Sequence, residues 1–443
     1  MRVRMIAIGV AVMLALGGCG APEPRAQDIS LWLVQGSTPA PVQEYLIQQY
    51  AIYNGGRLSI SEMPARAVVV RGFEAKTGDF ERPDVIEMPD YATTTLAANE
   101  AFSDISDLYS SYGGSHLVSA LTDLGIYEGK HYTLPYQFTT KYVYYRKDIW
   151  ALAGIEKPPS TLDDLHQGAI TVTDKNPRRI DDFSGFFLAN QDWHDGVSWI
   201  YARGGEIARR GEDGLWESTL SDPQTLSALR ELQQLHAGAN RAPWDSPVDR
   251  PWIYLNDIDW IYDETGTNVP TSVSAATIMA DDSMRTRVGD RVRTEMGTRT
   301  REWNSDTFGA FALPGADGGV APSHLRGSTI GIIASSPRQQ GARDLLDIIY
   351  SRDFQTMLGR VGLGAGNEDY WEFLGDDEFA EMTTAIARAA TSTPTAPGWL
   401  YVEQSGELQA FFTRVVRGGD IESLASQYDD ILTPLLNTLE PPG

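Results

Sequence analysis

Cysteine and long apolar runs are both scarce in this sequence. Cys19 is the only cysteine in 443 residues, so no internal disulfide can form and packed cores must stabilise the fold. The apolar run at residues 5–16 is about a dozen residues long, fewer than the roughly 20 that a membrane-spanning helix requires. No later stretch is long and apolar enough to cross a bilayer. These two shortages favour a folded body that lies in water.

Positive charge is also in short supply. The chain has 60 acidic residues against 36 Lys and Arg, which gives a net charge of −24 at pH 7. Such a surface repels nucleic acids and anionic membranes, and it disfavours polyanionic ligands. The six histidines are scattered without the spacing of metal ligands. We therefore predict no metal site, no cofactor and no nucleic-acid partner.

The first residues carry an export signal. Arg2 and Arg4 precede the apolar run, and the small residues Gly17 and Gly18 then precede Cys19. This order is typical of a bacterial lipoprotein signal, in which the cysteine is lipidated and becomes the new N-terminus. The alternative is an ordinary signal peptide in which the cysteine stands by chance. We predict a body anchored by lipid to the outer face of the cytoplasmic membrane, or to the periplasmic side in a diderm bacterium.

The chain after residue 27 alternates between strand and helix patterns. Its 443 residues exceed what one core usually holds, so more than one domain is expected. Alternation of this kind predicts parallel βαβ units and an open sheet, which binds ligands at the carboxyl ends of its strands. The first units consist of strands 28–34, 57–62 and 84–88 and of helices 41–53, 65–75 and 92–99.

Several segments, taken in order, resemble the family 1 extracellular solute-binding proteins, the maltodextrin-binding-protein-like group of ABC importers. The resemblance implies an α/β fold of the periplasmic-binding-protein-like type II, with two open-sheet lobes joined by hinge crossings near 139–142 and 307–313. The matching segments are 83–86 (PDVI), 134–137 (LPYQ), 144–148 (YYRKD), 153–155 (AGI), 158–165 (PPSTLDDL), 204–205 (GG), 313–315 (LPG) and 327–332 (GSTIGI).

The resemblance also implies a division of the chain. The predicted parts are a signal peptide at 1–18, a tether at 19–27, a first lobe at 28–140 and 309–360, and a second lobe at 141–308 and 361–443. The sequence departs from the family at Asp281 and Asp282, where a carboxylate pair stands in place of the usual stacking tryptophan. This departure leaves the ligand class open.

Sugar ligands need polar groups for their hydroxyls and flat aromatic surfaces for their ring faces. Acids and amides stand beside aromatic residues in several segments that the resemblance brings to the cleft, and two segments follow strands on the rim of the sheet. Each of these residues could equally be packing inside the fold. The candidate ligand-binding residues are Gln35, Ser37, Asp90, Tyr91, Tyr136, Gln137, Asp192, Trp193, His194, Asp282, Ser328 and Trp399.

These observations predict a monomeric binding protein that captures a carbohydrate-like solute and passes it to ABC transporter permease subunits. Neither a G-x-S-x-G elbow nor a P-loop occurs, so we predict that the chain is not an enzyme. Two alternatives stay open. A secreted lipoprotein glycoside hydrolase would release reducing sugar, and a surface scaffold or adhesin would not be stabilised by any small molecule.

Overall fold

The computed structural model describes residues 26–75, 82–179, 183–188, 193–241, 260–262, 268–270, 275–281, 285, 290–293 and 299–439. Among these residues, none of the helices combines the length and the apolar character that crossing a bilayer demands.

The strands are short and lie between helices along most of the chain. In chain order they are β1 Ile29–Val34, β2 Leu58–Met63, β3 Val85–Pro89, β4 Ile126–Tyr127, β5 Lys130–His131, β6 Thr133–Thr139, β7 Lys141–Arg146, β8 Ala208–Arg210, β9 Trp216–Ser218, β10 Trp260–Tyr262, β11 Asn268–Pro270, β12 Thr277–Asp281, β13 Asp290–Arg293, β14 Arg299–Glu302, β15 Phe308–Phe311, β16 Arg326–Ile332 and β17 Gly364–Ala365.

The helices are mostly two to four turns long. In chain order they are α1 Ala40–Tyr53, α2 Ala65–Ala75, α3 Asp90–Ala98, α4 Ser106–Tyr109, α5 Ser119–Thr122, α6 Lys147–Leu152, α7 Leu162–Lys175, α8 Trp193–Ala202, α9 Pro223–Ala239, α10 Gln339–Ile349, α11 Arg352–Arg360, α12 Glu378–Ala389, α13 Trp399–Ser405, α14 Glu407–Val416 and α15 Ile421–Leu436. Short 3-10 helices lie at Gly114–His116, Asp123–Gly125 and Glu368–Leu374.

Six strands form the sheet of the first lobe, in the order β17-β6-β16-β3-β1-β2. Strand β1 runs parallel to both β2 and β3, as the strand–helix alternation predicts. Strand β16 enters antiparallel between β3 and β6, far from them in the sequence. The carboxyl ends of β1 and β3 therefore meet at one edge, where α1 and α3 begin.

Both faces of this sheet are buried, because side chains alternate between them along each strand. Leu31 and Leu33 point to the face covered by α1, α10 and α11. Trp32 and Ile86 point to the opposite face, which α2 and α3 cover. A two-sided core of this kind explains the nearly continuous apolar runs of β1 and β3.

The second lobe contains the antiparallel sheet β12-β7-β15. Val143 and Tyr145 of β7 pack into a large core with α7, α8, α9, α13, α14 and α15. Tyr142 and Tyr144 face the other side, where they pack with Phe308 and Phe379. Because side chains alternate between the two faces of β7, its three tyrosines all pack inside the second lobe.

Within the described residues, the chain crosses between the lobes at three places. Thr139 ends β6 in the first sheet and Lys141 begins β7 in the second. The chain returns between Ala321, which packs in the second lobe, and Leu325, which packs in the first. The third crossing follows the 3-10 helix Glu368–Leu374 and precedes α12.

These crossings differ from the predicted division at residues 309 and 361. Strand β15 pairs with β7, so the return crossing lies later than the predicted hinge near 307–313. Strand β17 pairs with β6, and the indole of Trp371 donates to the carbonyl of Ala365, which keeps both segments in the first lobe. Long-range strand pairing, which local patterns do not reveal, causes both differences.

The folded body begins earlier than the predicted tether ends. The backbone N–H of Gln27 donates to the side chain of Asn54 at 2.8 Å, and its carbonyl accepts from the Tyr50 hydroxyl. Its side-chain oxygen accepts from the N–H of Gly341 at 2.7 Å. Gln27 is therefore held against the first lobe by three hydrogen bonds.

Candidate ligand-binding cleft

A buried carboxylate, Glu87 of β3, lies near the carboxyl ends of β1 and β3. Its Oε2 accepts hydrogen bonds from the Ser37 hydroxyl at 2.6 Å and from the N–H of Val34 at 2.8 Å. Its Oε1 accepts from the Ser328 hydroxyl at 2.6 Å. Burial raises the pKa of Glu87, while these hydrogen bonds lower it. The carboxylate thus joins the end of β1 to the middle strand β16.

The predicted rim residues meet around this carboxylate. Ser37 and Ser328 donate to it directly, and the Gln137 amide reaches the Ser328 oxygen at 3.4 Å. Gln35 is exposed just before this group. Tyr136 lies apart from the rim, since its ring is fully buried in the first core and its hydroxyl pairs with that of Thr38 at 2.9 Å.

Asp90 and Tyr91 form the first turn of α3, where β3 ends. Asp90 is only 3% exposed and accepts hydrogen bonds from the N–H groups of Tyr91 and Gly327, at 2.8 and 3.3 Å. The guanidinium of Arg326 lies 3.6 Å from its Oδ2. Burial raises the pKa of Asp90, although the neighbouring Arg326 opposes that shift. Tyr91 packs against the cores of both lobes.

Two tryptophans of the second lobe lie close to each other, and one of them stacks on His194, which contacts Arg326. Trp193 begins α8 and stacks on His194 with ring centroids 3.8 Å apart. Trp399 begins α13, and its ring lies edge-on to Trp193 at 6.3 Å. Trp193 is 8% exposed and Trp399 is 2% exposed. The Trp399 indole N–H has no hydrogen-bond partner among the described residues.

The position of Trp399 depends on the glycine before it. The N–H of Gly398 donates to the carbonyl of Leu436 on α15 at 2.9 Å. A Cβ at Gly398 would lie 1.8 Å from the carbonyl oxygen of Leu435, so only glycine permits this approach. Gly398 therefore fixes the start of α13, and with it the tryptophan, against the end of the chain.

A line of polar groups joins the two lobes beside the tryptophans. His194 Nε2 lies 3.4 Å from the Arg326 guanidinium and 3.5 Å from Glu403 Oε1. The ring of His324, on the crossing segment, lies 5.1 Å from that of His194. At 3.5 Å the His194–Glu403 contact is at the limit of a hydrogen bond. Glu403 Oε1 accordingly has no hydrogen-bond partner among the described residues. We treat this contact as electrostatic.

The structure thus brings together Asp90, Tyr91, Trp193, His194 and Trp399 at the junction of the lobes. Asp192, Asp282 and Cys19, the residue predicted to be lipidated, lie outside the described residues. Within the described part of the chain, no cluster of three or more His, Cys, Asp and Glu side chains is arranged to hold a metal ion.

Sequence reasoning missed four polar residues of this region. Glu403 follows Trp399 by four residues, which is one helical turn, so a helix prediction at 399–405 would have exposed it. Glu87 is a single acid inside a buried strand, which signals a buried partner. Arg326 and His324 carry no such local signal, because they reach the site through the return crossing.

Two lobes, three crossings and a polar–aromatic junction between the lobes define a two-lobed solute-binding protein. Residues 73–381, more than half of the chain, match the family described as bacterial extracellular solute-binding protein. The chain belongs to this family.

Known relatives agree with the fold over nearly the whole chain. The diacetylchitobiose binding protein DasA of Streptomyces coelicolor is 23% identical, covering 97% of both chains. The structure is similar to the sugar-binding protein MalE of Xanthomonas citri, with a TM-score of 0.73 and 16% identity over 93% of this chain and 97% of that one. It is also similar to the cyclic alpha-maltosyl-1,6-maltose binding protein of Arthrobacter globiformis, with a TM-score of 0.70 and 17% identity over 93% and 99%.

Proposed function

We propose that this protein is an extracellular solute-binding lipoprotein that captures a mono- or oligosaccharide and delivers it to an ABC transporter permease by closing its lobes. The observation that carries the proposal is the pair of tryptophans, Trp193 and Trp399, beside the polar line from Glu403 through His194 to Asp90. A sugar needs both kinds of surface at once.

The polar atoms at this junction support a hydroxylated ligand. The Trp399 indole N–H and the Gln137 side-chain oxygen are buried and have no hydrogen-bond partner among the described residues. A buried polar group without a partner costs about 1–3 kcal/mol. Sugar hydroxyls both donate and accept, so they can pair with either kind of atom.

The proposed ligand-binding set comprises the predicted residues that meet at the junction and two that the sequence did not single out. Gln35, Ser37 and Ser328 border this set through Glu87, while Asp192 and Asp282 stay predictions from the sequence. The set is Asp90, Tyr91, Gln137, Trp193, His194 and Trp399, with Arg326 and Glu403.

Closure of the lobes would allow the membrane permease to distinguish the ligand-bound protein from the ligand-free protein. Asp90 and Arg326 belong to the first lobe, whereas Trp193 and Trp399 belong to the second. A ligand that contacts both sides stabilises the closed form in proportion to its extra contacts there. The proposed partners are the permease subunits of an ABC transporter, met by a monomer of this protein.

The proposed location is the outer face of the cytoplasmic membrane, through lipid on Cys19. Membership of an extracellular family agrees with export. The names of DasA and MalE describe a diacetylchitobiose-binding and a sugar-binding protein, which supports carbohydrate as the ligand class here. Binding without turnover is proposed, so the sugar leaves unchanged.

A thermal-shift screen over mono-, di- and oligosaccharides, polyols and amino sugars tests this proposal, because a ligand that binds only the folded state raises the melting temperature. For the best ligand, Trp193→Ala and Asp90→Ala should each weaken binding by at least about tenfold, as the loss of a buried anchor does. Isothermal titration measures the affinities directly.

The control is Asp376→Ala, which removes an exposed carboxylate outside the proposed ligand-binding set. Its affinity should equal that of the parent protein. If Trp193→Ala and Asp90→Ala both retain the parent affinity, the proposed cleft is misplaced. If incubation releases reducing sugar from the ligand, a hydrolase replaces the binding protein as the explanation.

A further inference from the structure

A second interlobe space lies apart from the cleft. It is a cavity of about 950 Å³, and none of the residues proposed to bind sugar line it. One wall is the turn between β4 and β5 in the first lobe. Residues 204–210 and 214–216 of the second lobe also line the cavity, together with Pro322 and residues 391–395. This volume is in the range of small-molecule sites.

The cavity and the cleft are connected by shared elements. Helix α8 carries His194 at the cleft and Tyr201, about two turns later, at the cavity, where its hydroxyl donates to the carbonyl of Ser392 at 3.3 Å. On the return crossing, Pro322 lines the cavity while His324 faces His194. The two spaces therefore lie at different ends of the same elements.

A buried hydroxyl points to an occupant. Thr393 is 2% exposed and lines the cavity, and its Oγ1 has no hydrogen-bond partner among the described residues. Such an unsatisfied group is costly, so the site favours a molecule that pairs with it. Half-buried Tyr127 of the first lobe and Trp216 of the second lobe add aromatic side chains to the lining.

The charges around the cavity disfavour an anionic occupant. Arg209 is paired with Asp222, and Arg210 donates through Nε to the carbonyl of Gly214. The carboxylates of Glu128 and Glu206 also stand at the lining. With its guanidinium groups engaged and acids nearby, the lining suits a neutral molecule better than a phosphate or carboxylate.

We propose that this cavity is a second binding site, for a neutral polyhydroxylated molecule of polyol or sugar size, held by Thr393 and by the aromatic surfaces of Tyr127 and Trp216. The site is separate from the cleft, so this inference stands or falls independently of the function proposed above.

The experiment measures binding of sorbitol, glucose and maltose, each used singly, by ligand-observed saturation-transfer NMR on the whole protein. The double variant Trp193→Ala/Trp399→Ala disables the cleft and should retain binding of at least one of these probes. In that background, Thr393→Val keeps the side-chain shape but removes the hydroxyl, and should weaken that binding about fivefold. Thr384→Val, which removes an exposed hydroxyl on α12, should change nothing.

A second measurement covers the case in which the double variant fails to fold. With the cleft intact, Thr393→Val alone should weaken binding of at least one probe about fivefold, and Thr384→Val should not. Absence of probe binding in a folded cleft-disabled protein would overturn the proposal. So would equal binding by Thr393→Val and Thr384→Val.

Discussion

At the scale of single residues, Glu87 changes how the rim of the first lobe is understood. Ser37 and Ser328 were singled out as ligand-binding residues, yet both hydroxyls donate to this buried carboxylate at 2.6 Å. A buried carboxyl group that loses a hydrogen-bond partner costs free energy. The two serines therefore stabilise the edge of the sheet on which Asp90 stands, whatever they contribute to a ligand.

Replacing Ser328 separates these roles. Ser328→Ala removes one donor from buried Glu87, so the free energy of unfolding should fall by about 1.5–3 kcal/mol in the absence of any ligand. Urea denaturation measures the change. Ser111→Ala, which removes an exposed hydroxyl bonded to a nearby carbonyl, should cost far less. Equal stability of the parent and Ser328→Ala would mean that the serine acts only on a ligand.

His236 makes stability depend on pH. It is buried on α9 beside Asn240, and burial lowers its pKa from 6.5 to about 3. The unfolded chain therefore binds a proton below pH 6.5 that the folded protein excludes until about pH 3. Stability is lost as pH falls through that window, by up to about 1.4 kcal/mol per pH unit from this residue.

His236→Gln removes this titration and keeps a polar side chain beside Asn240. Between pH 6.5 and pH 4 the variant should lose less stability than the parent, while above pH 7 the two pH profiles should run parallel. Urea midpoints recorded across this range provide the comparison. If the urea midpoints of the parent and of His236→Gln change with pH at the same rate below pH 6.5, the His236 imidazole is protonated in the folded protein.

At the scale of elements, α13 serves two purposes on different faces. Trp399 and Val402 pack into the core of the second lobe, whereas Leu400 is 1% exposed and packs against α3 in the first lobe. The N–H of Leu400 also donates to the Thr95 hydroxyl of α3 at 3.2 Å. This seven-residue helix therefore sets the position of an aromatic residue and the contact between the lobes together.

Gly398 tests how tightly α13 is held. In Gly398→Ala the new Cβ would overlap the carbonyl of Leu435, so α13 must move away from α15. We expect a loss of about 3 kcal/mol or more and weaker sugar binding, since Trp399 moves too. Gly406→Ala is the matched change at the other end of the helix. Its φ of 75° costs an alanine about 1–2 kcal/mol, but no neighbour lies within 4 Å.

Calorimetry and sugar titration of the two variants give the comparison. Gly398→Ala should lose affinity out of proportion to Gly406→Ala, because only the first displaces Trp399. If both variants bind sugar like the parent, the exact position of α13 does not determine ligand binding.

At the scale of the whole molecule, local sequence patterns predicted the helices and strands well and the long-range contacts between them less well. The helix at Ala65–Ala75 and the proline start of α9 at Pro223 follow directly from capping and periodicity. The pairing of β16 between β3 and β6 joins segments more than 180 residues apart, and no local signal specifies it. The return crossing, Arg326 and His324 were missed for that reason. Trp193 and Asp90 were singled out as candidates because in the sequence each stands beside a residue of the other kind, Asp192 and Tyr91.

The lobes touch through Leu400, and this contact decides how readily they separate. Leu400→Ala removes a side chain that α13 packs into the core of the first lobe beside α3, a change that costs about 2–5 kcal/mol where the site cannot collapse. Here the lobes can part instead, so we expect a larger radius of gyration in ligand-free protein by small-angle X-ray scattering. Added sugar should restore the parent value, because the ligand contacts both lobes.

Leu408→Ala is the matched control, since Leu408 is equally buried but packs wholly within the second lobe. It should lower the melting temperature without changing the ligand-free radius of gyration. Expansion in Leu400→Ala alone would identify the α13–α3 contact as the element that holds the ligand-free lobes together. Equal radii in both variants would mean that the crossing segments alone fix the angle between the lobes, and a ligand would then have to bend those segments in order to close the cleft.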